Sequence, residues 1–184
     1  KSILQVTYKR CYNSGIGMRA GEAANIVPGK CSATVNGMAY STVGIQAHAS
    51  RPQDGRNAIQ MMFQMLSTME LNPKDKKYIN ALYRGFRLEN HGESLGLDIS
   101  DESGRMTVNP GVMRWDQNGF ELTLDLRIPT SVKEEEVAEK LDKLFIEELA
   151  CVKTMWSFSQ GYSLPDDCEL VTKLMKVYQD HTGD

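Results

Sequence analysis

Apolar residues alternate with polar ones at Leu4, Val6 and Tyr8, and Ser32 to Val35 forms a further short extended piece, so residues 1 to 36 read as strand material. The glycine-rich run between them, GIGMRAG, has the wrong glycine spacing for a nucleotide-binding fingerprint, and NIVPG follows where a helix is needed. A plain loop is expected there. From Tyr40 to Gln46 an apolar strand leads to His48, and Pro52 with Gly55 turns the chain into a helix whose Ile59, Met62, Phe63, Leu66 and Met69 share one face. Asn72-Pro73 sets a cap residue before a proline at the first helical position, opening a second helix with Ile79, Leu82 and Phe86. A glycine-rich connection runs from Asn90 to Gly104. Two strands follow, Met106 to Trp115 and Phe120 to Ile128, joined by an Asp-Gln-Asn-Gly hairpin turn. In the second, Phe120, Leu122, Leu124, Leu126 and Ile128 face one side while Glu121, Thr123, Asp125 and Arg127 face the other, the pattern of a sheet with one buried side. Ser131-x-x-Glu134 has the form of a capping box, opening a helix with Val137, Leu141, Leu144 and Phe145 on one stripe. A last strand lies near Val152 to Phe158.

From Tyr40 onward the order is strand, helix, strand, strand, helix, strand, which predicts an α+β, ferredoxin-like antiparallel sheet with helices on one face. Residues 1–39 are then a strand-rich N-terminal appendage and residues 40–162 the ferredoxin-like module, with a helical and glycine-rich insertion at about 72–105. Residues 163–184 form a C-terminal segment, where Asp166 to Thr182 reads as an amphipathic helix with Leu170, Leu174, Val177 and Tyr178 on one side.

Composition narrows the function. A chain of 184 residues that is 41% hydrophobic can bury a real core. Its 21 basic and 24 acidic residues give a net charge of -3 without a Lys/Arg run, which argues against a nucleic-acid partner. No apolar stretch approaches the roughly 20 residues of a membrane helix and no signal-peptide core is visible, so a soluble, cytoplasmic protein without a membrane partner is expected. Cys11, Cys31, Cys151 and Cys168 form no C-x-x-C pair and read as small buried thiols. The chain opens without methionine in a strand-like pattern and closes just past a helix, as expected of a piece excised from a larger protein.

Few residues have the pattern of reactive groups. His48 ends an apolar strand just before a tight loop and a helix, where an imidazole can donate or accept a proton; the plainer alternative is a ring satisfied by local backbone groups. Arg127 lies near the end of its strand two residues after Asp125, as in a surface ion pair. Asn25 precedes a Pro-Gly turn that its amide could stabilise. Asn109 and Gly111, in TVNPGV, can break and re-aim a strand, while Arg51 and Arg56 flank the histidine loop and add positive potential. His48, His91 and His181 are not paired at metal-ligand spacing, so no metal site is expected in this chain.

Four ordered stretches carry a family resemblance: AGEAANIVPGKCSA (20–33), GIQAHASRPQDGRNAI (44–59), GESLGLDISDESGRMTVNPGV (92–112) and LTLDLRIP (122–129). Together they resemble the lid, or dimerisation-like, domain of the dinuclear-zinc exopeptidases that include PepV-like dipeptidases, acetylornithine deacetylase, succinyl-diaminopimelate desuccinylase and carboxypeptidase G. The PepV-like branch is the nearest match, although the stretch from Cys31 to Gln46 is shorter than in typical lids of that branch. The resemblance implies that His48 polarises the scissile carbonyl and that Arg127 and Asn25 hold the substrate carboxylate. It also implies that two zinc ions sit in a catalytic domain outside this chain, which alone would be inert. The implied partners are that catalytic domain, a dipeptide or N-acyl amino acid substrate, and a second copy in a homodimer. Two alternatives stay open: a deacylase lid of the desuccinylase or acetylornithine type, and a non-catalytic ferredoxin-like binding or oligomerisation module.

Overall fold

A computed structural model of the protein describes residues 1–161, and the helix expected over Asp166–Thr182 lies outside them. In chain order the strands are β1 (Ser2–Cys11), β2 (Ile16–Ala20), β3 (Ile26–Val27), β4 (Lys30–Val35), β5 (Met38–Val43), β6 (Ala47–His48), β7 (Ser100–Asp101), β8 (Gly104–Arg105), β9 (Thr107–Asp116), β10 (Gly119–Ile128) and β11 (Val152–Ser159). The α-helices are α1 (Ala58–Ser67), α2 (Pro73–Gly85) and α3 (Glu134–Asp142), the last continuing into a wider helical turn over Lys143–Glu148.

Seven strands make one antiparallel sheet in the order β11-β1-β10-β9-β2-β4-β5. Within it, β1, β9, β10 and β11 with the intervening helices form the ferredoxin-like unit. The expected first strand of that unit, Tyr40 to Gln46, does not fill the role; Ser2–Cys11 does. Leu4, Val6 and Tyr8 have no exposed surface: β1 is paired on both edges, Leu4 lying between Leu126 and Phe158, and these three side chains point into the core shared with the helices. In contrast β5 is the outer edge, with Met38 and Val43 exposed, and the chain leaves it at Gly44 to form the separate β6. The N-terminal region therefore supplies a central strand as well as the expected added strands, β2 and β4.

Two further expectations are corrected. Part of GIGMRAG is strand: Ile16, Met18 and Ala20 of β2 alternate inward onto the core. The turn before it is fixed by the buried Asp75 of α2, whose carboxylate accepts from Tyr12 Oη (2.6 Å), Ser14 Oγ (2.7 Å) and the Gly15 amide (2.9 Å). Burial, and then the bond to Asp75, pushes the Tyr12 phenol well above its ordinary pKa. The capping box at Ser131 does not form either, since α3 starts at Glu134 with Lys133 at its cap. Competing partners explain it: the Ser131 amide donates to Asp101 Oδ2 at 2.8 Å, and the Glu134 carboxylate accepts from Trp156 Nε1.

The helices lie on the sheet face carrying the apolar alternation. Ile59, Met62, Phe63 and Leu66 of α1, Ile79 and Leu82 of α2 and Val137 and Leu141 of α3 are fully buried in one cluster with Leu4, Val6, Leu122, Leu124 and Leu126. Tyr8 stacks on Phe145 with ring centroids 4.1 Å apart. Each such side chain contributes about 1.5–3 kcal/mol by leaving water. Cys31 and Cys151 are buried as expected, whereas Cys11, at the end of β1, is exposed; Cys168 lies outside the described residues. Among the described residues no helix is long and apolar enough to cross a membrane.

Candidate functional site

The loops carrying His48 and Asn25 meet the main sheet along β9. β6 pairs with β3 so that His48 stands opposite Ile26, next to Asn25. The chain then turns sharply: the Ala49 amide donates to the Asn25 carbonyl and the Arg51 amide to the His48 carbonyl, both at 2.9 Å. The His48 ring is exposed, and the Ser50 amide donates to its Nδ1 at 3.1 Å while Ser50 Oγ lies 2.8 Å away. A backbone N–H only donates, so Nδ1 is an acceptor and the neutral ring carries its proton on Nε2. Among the described residues Nε2 has no hydrogen-bond partner.

This loop is bolted to β9. Thr107 Oγ1 donates to the Ala49 carbonyl at 2.9 Å, and Thr107 is the register partner of Arg127 on β10. Asn109, buried, donates through Nδ2 to the carbonyls of Ala24 (2.9 Å) and Ile26 (3.0 Å), on either side of Asn25. Its Oδ1 accepts from Asn57 Nδ2 at 2.9 Å, and Asn57 also donates to the Pro110 carbonyl at 2.8 Å. The Asn57 Oδ1 caps α1 by accepting from the amides of Ile59 and Gln60. Gly111 lets the 21–26 loop rest on the strand: a Cβ there would come within 2.3 Å of the Ala24 carbonyl oxygen. TVNPGV does not break the strand, since β9 runs through it with a register shift between Pro110 and Val112, and the segment instead seats the loops of Asn25 and His48.

Arg127 is ion-paired with Asp125, but the pair is not the surface contact that its spacing suggests. Asp125 has no exposed surface and the Arg127 side chain only 13%. The guanidinium donates through Nε to Oδ1 at 2.7 Å and through Nη2 to Oδ2 at 3.2 Å. Gln5 on β1, the register partner of Asp125, adds a bond to Oδ2 at 2.9 Å. Nearby, burial holds the Lys1 ammonium below its ordinary pKa, with Asp101 opposing and Arg127 reinforcing the shift. Arg51 and Arg56 are exposed, and their side chains make no ion pair among the described residues.

The loops carrying His48 and Asn25 are therefore joined to the strand carrying Arg127 by a short path through Ala49 and Thr107. The arrangement offers an exposed imidazole N–H donor and a largely covered guanidinium, and a cleft lined by Gly21, Glu22, Ile26, Pro28 and Gln46 lies beside the β3–β6 pair. Among the described residues no group of three or more His, Cys, Asp or Glu side chains could hold a metal ion. Sequence reasoning passed over Ser50, Asn57 and Thr107. Only Asn57 carried a signal, as an asparagine directly before a helical stripe.

Fold and site define a ferredoxin-like α+β domain with helices on one face and a polar cluster on the other. The family model of the peptidase dimerisation domain matches residues 37–150, more than half of the chain, and the chain belongs to that family. Over 76% of its length it is 28% identical to "Putative dipeptidase YtjP" of Bacillus subtilis, and over 90% it is 23% identical to the Beta-Ala-Xaa dipeptidase of Lactobacillus delbrueckii subsp. lactis. A dipeptidase-named protein of Staphylococcus haemolyticus is 26% identical over 77% of the chain. The chain spans 30% of the first and third of these relatives and 41% of the second. The resemblance to the dimerisation domain of a peptidase is borne out.

Proposed function

We propose that this domain is the substrate-clamping lid of a cytoplasmic, zinc-dependent dipeptidase. The observation that supports this reading is the path from Asn25 through Ala49 and Thr107 to Arg127, which joins the loop of His48 to the strand of Arg127. In a dipeptide the scissile carbonyl and the terminal carboxylate are one residue apart, roughly 3.5 Å along an extended chain. Two long side chains rooted on neighbouring segments suit a ligand of that size. His48 donates its Nε2–H to the carbonyl oxygen as negative charge develops, a stabilisation that acts most strongly once closure has excluded water. Arg127 grips the carboxylate with a planar pair of donors, and Asn25 adds an amide donor. The described residues offer no ligand set for zinc. In this proposal the two metal ions belong to a separate catalytic unit, and the domain alone is inert.

In the full-length enzyme His48→Ala should lower kcat by about 10²–10³ while metal analysis finds the zinc content unchanged. Unaltered turnover removes His48 from the chemistry. The same assay run on dipeptides and N-acyl amino acids separates dipeptidase from deacylase, and faster turnover of the acyl compounds overturns the substrate class proposed.

A further inference from the structure

The buried Asp125 is not explained by stability. It lies on the face opposite Leu124 and Leu126, carries no exposed surface and accepts three hydrogen bonds, from Arg127 Nε, Arg127 Nη2 and Gln5 Nε2. A buried ion pair can often be replaced by well-packed apolar residues without loss of stability, because desolvating two charges offsets their attraction. What the pair does supply is geometry. A guanidinium has two edges that can each present parallel N–H donors to a carboxylate: one formed by Nε and Nη2, the other by Nη1 and Nη2. Asp125 occupies the first edge, and the Arg127 stem is held so that only 13% of the side chain is exposed. Nη1 has no hydrogen-bond partner among the described residues.

We infer that Asp125, braced by Gln5, is a positioning residue that turns the Nη1/Nη2 edge of Arg127 toward the carboxylate of the substrate; this rests on the assignment of Arg127 to that carboxylate. An arginine already fixed in this way loses little rotamer freedom when the ligand arrives, and its second edge is aligned before contact. The specificity that follows is for a free terminal carboxylate over an amide, since only the carboxylate can accept both bonds and balance the charge.

The test compares a dipeptide with its C-terminal amide in the full-length enzyme. Wild type prefers the free acid, and Arg127→Met erases the preference. Asp125→Asn raises KM for the free acid by about tenfold with kcat nearly unchanged, and shrinks the acid-over-amide ratio of kcat/KM. If Asp125→Asn does not fold, Gln5→Met, which removes only the brace, shifts the same ratio in the same direction to a smaller extent. Within the 184-residue chain, the Arg127 Nε–H signal in ¹H–¹⁵N spectra exchanges slowly in wild type and loses that protection in Asp125→Asn. If Arg127→Met erases the preference while the folded Asp125 or Gln5 variant keeps it whole, the positioning role is overturned and Arg127 remains the carboxylate ligand. If Arg127→Met itself keeps the preference, both assignments fall.

Discussion

Replacing Asn57 by alanine removes one of the side chains that tie the histidine loop to the sheet, and the structure sets the size of the loss. The cap on the Ile59 and Gln60 amides is worth about 1 kcal/mol. Losing Nδ2 leaves Asn109 Oδ1 and the Pro110 carbonyl without the donor they share, which costs on the order of 1 kcal/mol for each buried acceptor. The total is about 3 kcal/mol, which for a domain of this size is a drop of roughly 6–12 °C in Tm. Asn57→Ser separates the two contributions, because serine keeps a cap but cannot span to Asn109, so it should lose about 2 kcal/mol. Urea denaturation of the two variants and wild type gives the answer, with the midpoint falling and the slope constant. If Asn57→Ala costs less than about 1 kcal/mol, or Asn57→Ser matches wild type, the amide bridge is not what holds the loop to β9.

Two further outcomes are expected. Imidazole ¹⁵N shifts of His48 at a pH where the ring is neutral should report the Nε2–H form, with Nδ1 as the acceptor of the Ser50 amide; a proton found on Nδ1 removes the donor the proposed chemistry needs. The Asp101 carboxyl is held well below the usual carboxylate range, first by the Ser103 hydroxyl and then by the Ser131 amide. A depressed folded pKa stabilises above the unfolded value of about 3.9 and is lost as pH falls through the folded one, so Asp101→Asn should melt below wild type at neutral pH and converge with it in acid. A gap in Tm that stays constant across the pH series refutes this linkage.

The elements with a clear period were legible. β10 shows its buried Leu122, Leu124 and Leu126 by alternation alone, and α1 its Ile59, Met62, Phe63 and Leu66 by helical spacing. Strand position was not legible, because Leu4, Val6 and Tyr8 look in sequence much like the apolar residues near Tyr40, and only pairing decides which strand is covered on both edges. The capping box failed for a similar reason: Asp101 and Trp156, distant in sequence, captured both of its partners. Among the site residues His48, Asn25 and Arg127 were each readable as candidates. Their convergence depends on Thr107, Asn57 and Asn109, polar side chains whose bonds leave no periodic trace, and the depth of Asp125 depends on strands β1 and β9 closing beside it.

The place of Ser2–Cys11 also dictates how the polypeptide must assemble. Ser2 faces Ile128 and Ile3 faces Ser159, so on the ribosome the first strand emerges well before either neighbour exists. Such distant pairings slow folding, since a long intervening loop must be closed before any contact rewards it. Until β10 and β11 are synthesised, Leu4, Val6 and Tyr8 lack the two strands that flank them in the folded domain.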